Sequence, residues 1–129
     1  MRVLLDTHAF LWWTSEDGRR LSDRARALLI DPSTDALVSV ASAWEIAIKA
    51  ATGRLEIDGE PEAWVPERIT RYGFSPLPVE LAHALRAGRL PLIHRDPFDR
   101  LLVAQAQVEG IPIVTSDPSI ARYAVEVIW

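Results

Sequence analysis

Four acidic residues stand where a carboxylate could do chemistry. Asp6 ends the apolar run Val3-Leu4-Leu5, and Glu45 closes Ser42-Ala43-Trp44-Glu45. Asp99 lies in Asp96-Pro97-Phe98-Asp99, and Asp117 follows Val114-Thr115-Ser116. If these acids converge, their charges repel, and one must stay protonated unless a cation neutralises them. A donor set of oxygens alone suits a hard divalent ion, Mg²⁺ or Mn²⁺, rather than zinc or copper. Such an ion can hold a phosphate oxygen and lower the pKa of a bound water, which is the chemistry of phosphodiester hydrolysis.

Each acid taken alone has a structural explanation. Ser42-Ala43-Trp44-Glu45 has the spacing of a capping box, with Glu45 reaching back to a free backbone N–H. Asp96-Pro97 and Asp117-Pro118 have the form of an N-cap followed by proline in the first turn. Asp99 would then sit where the helix dipole favours an anion, and Asp6 could cap a helix starting at Thr7. Caps, however, need not lie near one another. The elements that carry these acids decide between the two readings.

Val3-Leu4-Leu5 reads as a buried parallel strand. Thr7 to Thr14 reads as a helix, broken by Ser15-Glu16-Asp17-Gly18. A second helix is expected over Leu21 to Ile30, capped by Ser22, and a turn at Asp31-Pro32-Ser33. A strand at Ala36–Val40 and a helix from Ala41 to Thr52, closed by Gly53, follow. Further helices are expected over Pro61–Tyr72, over Val79–Ala87 with Gly88 as its stop, and from Asp96-Pro97 to Glu109 before Gly110. Phe74–Leu77 is a short extended piece and Leu90–His94 a loop. Ile111–Thr115 and Val125–Ile128 complete the strands, with a short helix from Pro118 between them. Strands alternating with helices predict an α/β fold, a mostly parallel sheet flanked by helices, as one domain over residues 1–129. In such sheets ligands gather outside the carboxyl ends of the strands. There all four acids would meet.

The bulk properties agree with this reading without requiring it. A chain of 129 residues can bury one core, and a net charge of −4 becomes 0 once four carboxylates are neutralised. The basic charge is carried by thirteen arginines and one lysine, Lys49; arginine presents phosphate with a planar fork of donors. With no cysteine there is no disulfide, thiolate metal site or cysteine nucleophile. No apolar run is long enough to span a bilayer, and Asp6 interrupts any signal-peptide core, so no membrane association and a cytoplasmic location are expected. His8, His83 and His94 form no His-x-x-x-His pair, which argues against a zinc hydrolase. His8 and His94 could touch substrate, but a surface or core role is the default. Trp44, Trp64 and Trp129 are expected in the core or an interface rather than as stacking platforms. No Gly-rich phosphate loop or Gly-x-Ser-x-Gly elbow is present.

Leu4-Leu5-Asp6-Thr7-His8, Ala43-Trp44-Glu45-Ile46-Ala47-Ile48-Lys49, Asp96-Pro97-Phe98-Asp99-Arg100-Leu101-Leu102-Val103-Ala104-Gln105-Ala106 and Ile113-Val114-Thr115-Ser116-Asp117 resemble, in this order, PIN-domain ribonucleases of the VapC type. The likeness continues to Val127-Ile128-Trp129. It implies a flavodoxin-like topology and a Mg²⁺- or Mn²⁺-dependent endoribonuclease, the toxin of a toxin–antitoxin pair. It also implies an RNA substrate, a small antitoxin partner and a homodimer. The family's catalytic and metal-binding acids fall on Asp6, Glu45, Asp99 and Asp117. In Asp96-Pro97-Phe98-Asp99 two acids compete: Asp99 matches the family position that heads the helix, and Asp96 reads as a cap or supporting group. Thr115 and Ser116 match hydroxyl residues that could bond metal-bound water or ligand. Pro118 departs from the pattern beside Asp117. Apolar excess around Trp12, Trp13 and Trp64 fits an interaction surface, and a small domain's core can absorb these tryptophans equally well.

Two other classes compete. A phosphoryl-accepting receiver domain also has an acid pocket at strand ends, but it needs a basic residue after a late strand, and Lys49 lies in a helix. A PIN-like module that binds RNA or protein without cutting would have no need of all four acids.

Overall fold

The computed structural model describes residues 1–16 and 18–129, with Glu16 described in its backbone only. Among the described residues the strands are β1 (Arg2–Leu5), β2 (Asp35–Ser39), β3 (Ser75–Leu77), β4 (Ile113–Val114) and β5 (Val127–Ile128). The helices are α1 (Thr7–Glu16), α2 (Asp23–Ile30), α3 (Val40–Ala51), α4 (Pro61–Arg71), α5 (Leu81–Arg89), α6 (Pro97–Glu109) and α7 (Pro118–Ala121). The strands form one wholly parallel sheet in the order β3-β2-β1-β4-β5. The α/β class, the parallel sheet and its flanking helices are those the sequence predicts.

β1 is central because it can be buried on both faces. Val3 and Leu5 join a core with Phe10, Ile46, Trp64 and Phe74 on one side, while Leu4 joins Leu37, Leu102, Val103 and Ile120 on the other. A strand covered on both faces has no polar side to show, hence its unbroken apolar run. β1 pairs with β2 through Leu5↔Val38 and with β4 through Leu5↔Val114. The strand order therefore reverses beside β1, and side chains following β1 and β4 emerge together at the same sheet edge.

Several boundaries differ from the expectation. α1 continues through Glu16, and the rest of the expected break includes Asp17, outside the described residues. α3 begins at Val40, with Ser39 as its cap; the Ser39 hydroxyl accepts from the Ala41 N–H at 3.0 Å and lies 2.6 Å from Gln105 Oε1. α5 starts at Leu81 and runs through Gly88 to Arg89. The Arg100 guanidinium supports that helix end, donating to the Ala87 and Leu90 carbonyls at 3.0 and 3.2 Å, which a helix end would otherwise leave to solvent. α6 ends as expected, with Gly110 left-handed at φ 67°.

Of the two places open to the tryptophans, core and surface, most take the core. Trp64 is buried against Phe10, and Trp12 and Trp13 pack partly into the same core. Trp44 is instead 62% exposed, as are Leu81 and Leu85 at 76% and 62%. No described helix is long and apolar enough to cross a membrane.

Candidate functional site

Asp6 is the first residue beyond β1, and it does two jobs at once. Its Oδ1 accepts from the Ala9 N–H at 2.7 Å, capping α1, while its Oδ2 accepts from the Thr115 hydroxyl, brought alongside by β4. Asp117 repeats the arrangement. Its Oδ1 accepts from the Ser119 N–H at 2.8 Å and caps α7, while its Oδ2 lies 3.6 Å from His94 Nε2. Capping and clustering are therefore compatible, because one carboxylate has an oxygen for each.

Glu45 does not form the capping box that its spacing with Ser42 suggests. It lies in the second turn of α3, with Oε1 accepting from the Thr7 hydroxyl and Oε2 from Lys49 Nζ, both at 2.7 Å. Thr7 also lies 2.9 Å from the Ser42 hydroxyl, so α1 and α3 are tied together at this point. Asp99 sits in the first turn of α6 with its Oδ2 2.8 Å from His94 Nε2. The cap of that helix is Asp96, which accepts from the Phe98 and Asp99 N–H groups.

One ligand atom each from His94, Asp99 and Asp117 lies within 4.8 Å of the others. Asp6 and Glu45 flank this group and are felt electrostatically: the Asp117 charge raises the pKa of Asp6, and the Glu45 charge that of Asp99. Burial is the larger cause in both. It raises the Asp6 carboxyl against the lowering effect of its hydrogen bonds to Thr115 and Ala9. It also pushes Asp99 up to about 6, aided by the neighbouring Asp96 charge. Crowded, half-dry carboxylates of this kind are the ones whose charge a cation would relieve.

The structure thus brings Asp99 and Asp117 together, sets Asp6 and Glu45 beside them, and ties Thr115 to Asp6. Ser116 is exposed, and no hydrogen bond joins it to the cluster among the described residues. The oxygen-only donor set expected from the sequence gains an imidazole. The loop that presents His94 is held by its own backbone N–H donating to the Tyr123 hydroxyl at 2.9 Å, and by Arg100 donating to the Pro91 carbonyl at 2.9 Å. The His94-Arg95-Asp96-Pro97 segment at a helix head carried the only sequence signal for this residue. Asp99, Asp117 and the His94 imidazole form a donor set that fits a divalent cation, with the imidazole its softest member and the Asp6 and Glu45 carboxylates beside it.

Thr115 offers a test of this packing. Thr115→Val keeps the side-chain shape but removes the donor to Asp6 and the acceptor of the Asp117 N–H, 3.0 Å away. We expect a loss of about 1–3 kcal/mol at neutral pH, the cost of buried groups left unpaired. The bond to Asp6 favours the ionised carboxyl, so part of the loss should fade in acid. Urea unfolding at pH 7 and pH 4 measures this, and an identical loss at both would remove Asp6 as the cause.

A family profile for the PIN domain matches residues 3–126. Ribonuclease VapC22 of Mycobacterium tuberculosis is 31% identical over 118 residues, covering 89% of this chain and 86% of that protein. Ribonuclease VapC16 of the same organism is 43% identical over 61 residues; the match takes in 47% of this chain but only 43% of that protein. Among solved structures, the chain is similar to one in the crystal structure of VapBC2 from Rickettsia felis bound to a promoter DNA fragment. That likeness has a TM-score of 0.73 and 12% identity, over 99% of this chain and 98% of that one. A chain of a toxin–antitoxin complex from Klebsiella pneumoniae is similar with a TM-score of 0.67 and 17% identity, over 98% and 96% of the two chains. At these identities the structural likeness concerns the fold.

Proposed function

The chain belongs to the PIN domain family, and from that membership we propose that it is a Mg²⁺- or Mn²⁺-dependent endoribonuclease, the toxin half of a toxin–antitoxin pair. The observation that carries this reading is the meeting of Asp99, Asp117 and His94 within 4.8 Å, with Asp6 and Glu45 beside them. The ribonuclease names of the relatives and the toxin–antitoxin complexes among the structural neighbours support it. In this reading residues 1–129 act as a single domain in the cytoplasm, and the exposed Trp44, Leu81 and Leu85 offer apolar surface for a second copy or an antitoxin.

Asp99 and Asp117 would hold the ion, with Asp6 and Glu45 completing the negative field and His94 Nε2 in reach of both holding carboxylates. When bound, a divalent ion supplies Lewis acidity toward a phosphate oxygen and an attacking water. The chain's own residues supply position and proton traffic. Ala9 N–H and Thr115 fix Asp6, while Thr7 and Lys49 fix Glu45, so neither carboxylate must reorganise when phosphate arrives. His94 Nε2, 2.8 Å from Asp99 Oδ2 and 3.6 Å from Asp117 Oδ2, would be the group placed to pass a proton toward the departing ribose oxygen. Water attacking phosphorus breaks the bond to the 3′-oxygen, which leaves with a proton.

Purified protein incubated with total RNA and Mn²⁺ should therefore yield fragments with 5′-phosphate and 3′-hydroxyl ends. EDTA should abolish the cleavage. The same assay on a complex with a co-expressed antitoxin should be silent until the partner is removed, as when an antitoxin arginine pairs with Asp6 and Asp99. Ends carrying 2′,3′-cyclic phosphate, or cutting undiminished by EDTA, would refute the proposal.

A further inference from the structure

Beside the acid cluster runs a second feature, a groove of about 330 Å³ between α1 and the chain that follows α3. We infer that this groove seats the nucleotide next to the scissile phosphate, its base on the His8–Trp12 ring stack and its phosphate against Lys49 and Arg54. The inference rests on the ribonuclease reading and adds to it where the substrate strand runs.

The groove is continuous with the cluster. Lys49 lines it and at the same time donates to Glu45 Oε2 at 2.7 Å, while His8 follows the Thr7 that donates to Glu45 Oε1. A strand with a phosphate at the acids would therefore pass Lys49 as it enters this groove. Its lining has the two kinds of group that single strands use, rings for bases and cations for phosphate. The His8 imidazole stacks on the Trp12 indole at 5.6 Å between centroids and 25° between planes, and His8 is exposed. Arg20 lies over the same indole at 5.6 Å, stiffening the stack.

Charge favours a nucleic acid over a peptide as the occupant. In a chain of net charge −4, this groove carries Arg54 and the Lys49 that bridges to Glu45, with Glu56 the one acid in its lining among the described residues. The negative charge is concentrated next door, where a cation would offset it. An anionic strand can thus lie across both, whereas an apolar side chain would desolvate the Arg54 guanidinium. The volume suits one small ligand unit, so the groove reads one base rather than a duplex.

The test uses the full chain in EDTA, binding a short fluorescein-labelled single-stranded RNA, read by anisotropy across a salt series. His8→Ala and Arg54→Ala should each weaken binding about tenfold, the scale of one stacked base or one phosphate contact. His8→Phe should restore the affinity, since a phenyl ring stacks without carrying charge. Arg54→Ala should also flatten the salt dependence by about one counterion. With Mn²⁺ present, the variants should raise KM far more than they lower kcat. Wild-type protein that neither binds nor cuts RNA would overturn the ribonuclease reading and this inference with it. Wild-type cutting with variants unchanged in RNA affinity would overturn the groove alone. Variants that release a co-expressed antitoxin yet bind RNA normally would assign the groove to the protein partner and likewise overturn the inference.

Discussion

Asp99→Asn is expected to remove RNA cleavage while making the protein, in EDTA at pH 7, at least as stable as the wild type. The carboxyl of Asp99 is pushed up to about 6, first by burial and then by the Asp96 charge. Its folded pKa therefore lies above its unfolded value, and the folded state binds this proton more tightly. Ionisation then costs stability progressively as pH rises from about 4 to about 6, and the whole cost is present above that. A shift of this size corresponds to an effect on the order of 1–3 kcal/mol. Asparagine carries no charge to desolvate and can still accept from His94. If Asp99 served only the α6 dipole, the same change would lower stability by about 0.3–1 kcal/mol in any buffer. Added Mn²⁺ should stabilise the wild type by roughly 1.4 kcal/mol at about ten times its dissociation constant, and should barely move the variant. Cleavage should fall by at least about 100-fold. Thermal unfolding in EDTA and in Mn²⁺ decides the matter: a variant less stable in EDTA, yet shifted by Mn²⁺ like the wild type, would return Asp99 to a helix-terminal role.

Metal loading should collapse in acid. A cation at this cluster must displace the proton that Asp99 holds below about pH 6, and Asp6 is raised in the same direction. Apparent Mn²⁺ affinity should be nearly flat above pH 7. Below about pH 6 it should fall by about tenfold per pH unit for each proton displaced. Calorimetry in buffers of different ionisation enthalpy reads this directly, with about one proton released per ion at pH 5.5 and almost none at pH 8. Affinity that stays level from pH 8 to pH 5 would mean that the ion binds without Asp99.

The sequence is legible where periodicity and local chemistry act together. The apolar run before Asp6, the Pro97 start of α6 and its Gly110 stop are short-range signals, and the structure keeps them. Ser42-Ala43-Trp44-Glu45 misleads because a capping box is a local pattern, whereas the start of α3 is set by contacts across the fold. Ser39, hydrogen-bonded to Gln105, begins the helix three residues earlier and carries Glu45 into its second turn. β-branched Val40 reads as strand by propensity for the same reason. Gly88 fails to stop α5 because Arg100, distant in sequence, takes the helix-end carbonyls. His94 is the larger omission. Nothing in a loop sequence fixes where an imidazole points; here Tyr123, just beyond α7, and Arg100 of α6 hold the loop backbone that presents it.

The pairing of β1 with β4 has a consequence for synthesis. Asp6, Glu45 and Asp99 are all synthesised before Ile113 and Val114, yet Thr115 and Asp117 reach the cluster only when β4 docks on β1 through Leu4↔Ile113 and Leu5↔Val114. Until then β1 is an open edge and Asp6 has no hydroxyl from Thr115 to hold it. A pairing across more than a hundred residues cannot form early, because the loop it closes must first exist. The nascent chain therefore carries most of its acids without the assembled cluster, and a translation product cut short before residue 113 lacks the strand that completes it. On the toxin reading proposed above, the order of strands in the sheet itself delays assembly of the site during translation.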